Sequence, residues 1–202
     1  MIPKRIVNCW MGRGKKSDLF AHCLETQRAH HWSDWEFFEV NEDTMPELLA
    51  FPYVRAVLAR GEYVKATEIG RLWGLARLGG IYCDADVEVL RPMDHLLNAK
   101  FFIGREDAEH LNGAVMGSVP HGVAIEYLIQ NFPTQSEGPE SPHYYGPGFL
   151  TRMLTAPALP FDFVEHPPEV FYPSHWRTPT VMDRMTERTV AHHRWAASWV
   201  KK

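Results

Sequence analysis

The sequence has few cysteines, no long apolar run and no dominant charge. Three cysteines, Cys9, Cys23 and Cys83, are an odd number without metal-type spacing. That excludes a disulfide framework and a zinc ribbon. Read as small, reduced core residues, they favour a reducing compartment, and a cytoplasmic protein is expected. No stretch approaches the roughly 18 apolar residues of a membrane span. The opening MIPKRIVNCW lacks the apolar core of a signal peptide. No transmembrane segment is expected, and any peripheral membrane contact would need a surface patch or a partner. The 21 Lys and Arg against 25 Asp and Glu leave a net charge of −4, too little positive charge to draw nucleic acid. Internal repeats and low-complexity tracts are absent. A phosphate loop is excluded as well: in GRGKKS (12–17) a single residue separates the glycines, and the loop motif spaces them further apart. A solvated turn is the ordinary reading there.

What is present is a globular composition. Hydrophobic residues make up 45 % of the 202 and charged residues 23 %, which provides a core and argues against disorder. The length suits one domain over 1–202. RIVNCW (5–10) predicts a first strand. Apolar spacing predicts a helix over 18–30, a strand over 35–40 and a short helical stretch over 46–51. The clearest helix covers 64–78, with Ile69, Leu72, Trp73 and Ala76 at core-facing spacing. Gly79-Gly80 stops it. IYC (81–83) and FFIGRE (101–106) predict strands, and NGAVMGS (112–118) a glycine-broken strand or loop. Helices are expected over 122–132 and 149–154, with a loop over 133–148. The rest is Pro- and His-rich with little periodicity. Strands alternating with helices predict an α/β sheet with helices on its faces and an irregular C-terminal segment.

The central signal is Asp84-Ala85-Asp86, directly behind the buried-type strand IYC. In an extended chain both carboxylates project to one face. Like charges so close repel unless a cation lies between them. Carboxylate oxygens at a strand end suit Mg²⁺ or Mn²⁺, which also bind diphosphate oxygens, and open α/β sheets hold ligands at the carboxyl ends of their strands. A bare D-x-D also occurs in solvated turns; here VEVL (87–90) continues the apolar pattern.

Other residues carry a plain and a functional reading together. Glu68 and Arg71 share a helix face; they form either a surface ion pair of little worth or a guanidinium fork for phosphate. Trp10 is a core aromatic or a platform for a base. YYGPGFLT (144–151) is a turn, or a place where backbone approaches a ligand. In AHHRWAASW (191–199), His192 and His193 are surface residues or supply an imidazole to a metal site.

The ordered set IPKRIVNCWMG, KATEIGRLWGLARLGGIYCDADVEVLRP, YYGPGFLT, FYP and HHRWAASW resembles glycosyltransferase family 32, the sugar-binding D-x-D transferases, over nearly the whole chain. The resemblance implies a GT-A-type mixed sheet, a sugar-nucleotide donor (UDP- or GDP-sugar), Mn²⁺ or Mg²⁺, a glycan or other hydroxyl acceptor, and retention of anomeric configuration. It implies that Asp84 contacts the donor and the metal shell, that Asp86 is the direct metal ligand, and that Arg71 touches the donor sugar or phosphate. Trp10 is implied to stack on the base, Tyr82 to line the nucleotide pocket and Asn112 to face the sugar. The terminal histidine, with Ser198 and Trp199, is implied to close over the diphosphate. The chain departs from the family pattern with Glu68 for the usual Asp, Asn8 for a frequent His, and HHRWAASW for HHWAGSW. Counting back from Ser198 favours His193 over His192. The acceptor region is expected to be reduced or supplied by a partner.

On this reading Asp84 or Glu68 stabilises positive charge on the sugar and Arg71 negative charge on the leaving diphosphate. No nucleophile is assigned. Two other readings stay open. One is a metal-dependent phosphodiesterase or nucleotidyltransferase, which needs a further acid such as Glu88. The other is a non-catalytic sugar-nucleotide-binding module.

Overall fold

Short apolar strands and the helices between them build one mixed sheet, seen in a computed structural model that describes residues 1–30, 34–134 and 142–196. In chain order the elements are β1 (Arg5–Cys9), α1 (Asp18–Ala29), β2 (Glu36–Val40), α2 (Pro52–Ala59), α3 (Tyr63–Leu78), β3 (Gly80–Cys83) and β4 (Val87–Val89), followed by β5 (Phe101–Arg105), β6 (Leu111–Ser118), α4 (Val123–Gln130), α5 (Pro142–Tyr145), α6 (Pro147–Leu154), β7 (Val164–His166), α7 (Pro168–Phe171) and β8 (Ala191–His193). The six-stranded sheet runs β2-β1-β3-β6-β5-β7, and β4 and β8 form a separate antiparallel pair. β1 is parallel to both β2 and β3, whereas β6 is antiparallel to β3 and β5. None of the described helices is long and apolar enough to cross a membrane.

Side-chain alternation divides the core between the two faces of the sheet. Val7, Tyr82, Phe101, Ile103 and Met116 pack with α2, α3, α4 and α6. Ile6, Ile81, Cys83, Phe102 and Val115 pack on the opposite face with Phe171, Tyr172 and Val190. The expected stripe of α3 is buried at Ile69, Leu72 and Ala76. The helix also lies directly on the sheet. A Cβ at Gly70 would come 2.7 Å from Cys9 Sγ, and one at Gly74 2.7 Å from Val40, so two glycines set the approach of α3 to β1 and β2. Gly79, at φ +63°, ends the helix and turns the chain into β3.

Three expectations change. NGAVMGS is not interrupted by its glycines: it lies within the continuous, fully buried strand β6, whose irregularity is a bulge. Ile103 pairs with Met116 but Gly104 pairs with Asn112, so residues 113–115 are extra on the β6 side. Part of the expected loop over 133–148 is helical, with α5 at Pro142–Tyr145 and α6 starting at Pro147, where proline suits the first turn of a helix. Asp84-Ala85-Asp86 is not extended: it is a turn between β3 and β4, with Val87 N donating to Asp84 O at 3.0 Å. All three cysteines are buried with free thiols. Burial pushes the Cys23 thiol up to about 12, so it is inert at neutral pH.

Candidate active site

Helix α3, strand β3 and the C-terminal strand converge on the turn at 84–86. The turn's main chain is fixed on three sides. Asp84 N donates to Ala114 O of the β6 bulge at 2.8 Å. From α1, the buried Gln27 amide donates to Asp84 O at 3.2 Å and to Val87 O at 2.9 Å. Asn8, on β1, donates to Gln27 Oε1 at 2.9 Å and to Cys83 O at 2.8 Å. Arg194 N donates to Asp86 O at 2.9 Å. Hydrogen bonds with three distant segments of the chain thus hold the turn.

The two carboxylates have different surroundings. Asp84 Oδ1 accepts from the Tyr82 hydroxyl at 2.5 Å and lies 3.4 Å from the Arg71 guanidinium. Asp86 Oδ1 lies 3.3 Å from His193 Nε2, and its Oδ2 accepts from Ala196 N at 2.9 Å. Burial alone would raise the Asp86 carboxyl, but the imidazole's charge and hydrogen bond, with main-chain amides, outweigh it and hold the group below the usual carboxylate range. The same pairing overcomes burial at His193 and raises the imidazole. Pairing of β4 with β8 sets His193 opposite Val87. Ligand atoms of Asp84, Asp86 and His193 all lie within 4.8 Å of one another. Two carboxylates and one imidazole are a donor set that Mn²⁺ or Mg²⁺ accepts, so the residues fit the implied cation.

Arg71 and Glu68 are not the surface pair of the plain reading. Their side chains are 7 % and 12 % exposed, and Arg71 Nη2 stands 3.0 Å from Glu68 Oε1. Burial, with Asp84 nearby, raises the Glu68 carboxyl to about 7 against the pull of Arg71. The carboxylates around Arg71 outweigh its burial and keep it charged.

Other expected residues take more specific positions. Tyr82 is fully buried under the Arg71 guanidinium, 5.1 Å from the ring centre. It therefore does not line an open pocket and reaches the site through its hydroxyl alone. Asn112 is buried on the bulge, where its amide donates to Glu106 and its Oδ1 accepts from Ala114 N at 2.8 Å. Trp10, just past β1, donates from Nε1 to Gly14 O at 2.8 Å and packs edge-on to Phe20, with Lys16 Nζ 5.1 Å over its ring. His192 points away and bonds Ser174 Oγ at 2.8 Å, so His193 is the histidine brought to the aspartates. Ser198 and Trp199 lie outside the described residues.

Glu106 is a member that sequence reasoning missed. It is 7 % exposed, and burial raises its carboxyl. Its place beside Asn112 depends on the bulge, for which the sequence carries no clear mark. Asp107 and His110 lie next to it. Asp107 is engaged by His110 and by the amides of Glu109 and His110. Glu88, the further acid that a phosphodiesterase would need, faces His22 at 3.2 Å and Arg194 at 2.7 Å instead.

A mixed sheet flanked by helices, with a D-x-D turn at the carboxyl end of its central parallel strands, is a GT-A-like glycosyltransferase layout. Residues 17–102 match the family model for the glycosyltransferase sugar-binding region containing DXD motif, and the chain is similar to family-32 glycosyltransferases. It is 32 % identical over 101 residues to inositol phosphoceramide mannosyltransferase 2 of Schizosaccharomyces pombe, a match covering 50 % of this chain and 28 % of that protein. It is 27 % identical over 162 residues to lactosylceramide 4-alpha-galactosyltransferase of Pongo pygmaeus, covering 71 % of this chain and 69 % of that sequence. Against the human protein of the same name, the match spans 42 % of its length. The solved PaToxG glycosyltransferase superposes with a TM-score of 0.57 at 16 % identity, covering 76 % of this chain and 69 % of that one, which bears on the fold alone.

Proposed function

We propose that this chain is a retaining, metal-dependent hexosyltransferase that uses a UDP- or GDP-sugar and a hydroxyl acceptor, glycan or lipid-linked. The observation that carries the reading is the meeting of Asp84, Asp86 and His193 beside a buried Arg71. The relatives support the hexose and the acceptor class: by name they transfer mannose or galactose, to acceptors built on ceramide. Three buried free thiols fit a reducing, cytoplasmic setting.

Asp86 and His193, with Asp84, would hold the cation. Bound there, it supplies Lewis-acid stabilisation of the negative charge on the leaving diphosphate. Arg71 adds a fixed guanidinium on the same side, pre-oriented by Glu68, so little reorganisation accompanies charge development. Tyr82 orients Asp84 toward the sugar, where its carboxylate stabilises positive charge at the anomeric carbon. Asn112 takes a sugar hydroxyl, and Trp10 packs on the base. The segment after β8, already bonded to Asp86 through Ala196, closes over the diphosphate and excludes water.

The test is a panel of UDP- and GDP-sugars with and without Mn²⁺, read by thermal shift and then by release of free nucleotide. A stabilising hit that requires Mn²⁺ is expected, and it names the donor. A shift that ignores the metal, or no shift with any donor in folded protein, refutes the reading.

A further inference from the structure

The FYP segment (171–173) has no role in the chemistry above, yet Tyr172 sits where the β6 bulge meets the C-terminal strand. Its ring is fully buried. Its hydroxyl donates to Asn112 O at 2.9 Å and accepts from Val115 N at 3.3 Å. A bulge takes its extra residues out of the ladder, and their buried main-chain groups need other partners. A phenol gives one hydrogen and accepts another, so this single hydroxyl serves both ends of the bulge.

The surroundings are shaped around that hydroxyl. A Cβ at Gly104, the bulge's partner on β5, would fall 2.7 Å from Tyr172 Cε2 and 2.5 Å from Phe171. On its other side the ring meets His193 edge-on, with centroids 6.0 Å apart, and Trp195 at 5.8 Å. Ala114, between the two bonded positions, accepts from Asp84 N and donates to Asn112 Oδ1. The bulge skips an odd number of residues, 113–115. Losing it would shift the pairing by that number and turn the Asn112 side chain to the other face of the sheet.

We infer that Tyr172 is a positioning residue: its hydroxyl holds the β6 bulge in the register that presents Asn112 to the donor sugar and supports the Asp84 main chain. This rests on the proposed reading that Asn112 faces the donor. Tyr172 is fully buried and acts through the groups it touches.

Tyr172→Phe removes the hydroxyl and keeps the ring. Below the melting temperature of both proteins, kcat is expected to fall roughly 10- to 100-fold, the usual cost of misplacing a reacting group, while donor KM moves less than about threefold. In an Asn112→Ala background the same change is expected to cost less than it does alone, because the Asn112 side chain is gone and only support of the Asp84 main chain is left to lose. Gly104→Ala, which pushes the ring without removing the hydroxyl, is expected to reproduce the kcat loss. An unchanged kcat, equal losses in kcat and affinity, or losses that multiply in the double variant overturn the proposal. Hydrogen exchange separates this from failure of the transferase reading, since it needs no turnover. The Asp84 and Val115 amides exchange at least about tenfold faster in Tyr172→Phe if the hydroxyl holds the bulge, and an unchanged rate overturns it.

Discussion

His193 Nε2 stands 3.3 Å from Asp86 Oδ1 because β8 pairs with β4 in a register that puts His193 beside the D-x-D turn and turns His192 the other way, onto Ser174. Adjacent histidines thus have opposite environments. His193→Ala is expected to weaken Mn²⁺-dependent donor binding about 10- to 100-fold, and Asp86→Asn to abolish it together with transfer. His192→Ala is expected to leave binding within about threefold. Titrating donor at fixed Mn²⁺ reads all three. Equal losses at 192 and 193 would falsify the ligand assignment.

The buried Glu68 carboxyl is raised from 4.5 to about 7. Between those values the unfolded chain has released a proton that the folded chain retains, so stability falls as pH rises through the window. The contribution is full below about pH 4.5 and lost above about pH 7, and amounts to on the order of 2–3 kcal/mol. Glu68→Gln imitates the protonated form. Urea unfolding across that range is expected to show the variant gaining about 2 kcal/mol on the parent between the two limits. Parallel curves would remove Glu68 as the source.

Much of this site was legible because its first half is local. A periodic helix, a Gly-Gly stop and a short apolar strand place Asp84 and Asp86 at a strand end, and three of the four expected stripe residues of α3 are buried. The conformation of 84–86 was not legible: turn and strand differ there through hydrogen bonds from Gln27, Ala114 and Arg194, all distant in sequence. Glu106 and Tyr172 were hidden for the same reason. Glu106, and the hydroxyl of Tyr172, meet the site at a bulge that exists when β6 pairs simultaneously with β3 and β5. The family likeness singled out FYP without indicating what its tyrosine touches.

Arg71 serves two carboxylates inside the core, Glu68 at 3.0 Å and Asp84 at 3.4 Å. Arg71→Ala leaves both without their cation and is expected to cost about 3–5 kcal/mol. At pH 8 or above, Arg71→Ala combined with Glu68→Ala removes a buried carboxyl that would have to take up a proton or stay charged, and should recover part of that loss. Chemical unfolding checks the pair. If the double variant is no more stable than Arg71→Ala, Glu68 is not held by Arg71.

Gln27 gives the last prediction, because it separates support of the turn from the chemistry. Its amide nitrogen ties α1 to Asp84 O and Val87 O, on either side of Ala85-Asp86, and its oxygen accepts from Asn8. Gln27→Leu keeps the bulk but removes those hydrogen bonds, leaving Asp84 O with Val87 N and Asn8 with Cys83 O as their remaining partners, at about 1–3 kcal/mol of stability. Gln27→Glu keeps the acceptor for Asn8 but turns the donor end into an oxygen facing two carbonyls, so it should also destabilise the turn. Both variants are expected to bind nucleotide more weakly at low Mn²⁺ and to recover at saturating Mn²⁺, since a cation held by Asp84 and Asp86 would favour the turn. Donor titrations at two Mn²⁺ concentrations test this. A defect that saturating metal does not reduce would mean that Gln27 contributes to the site by some route other than holding the turn.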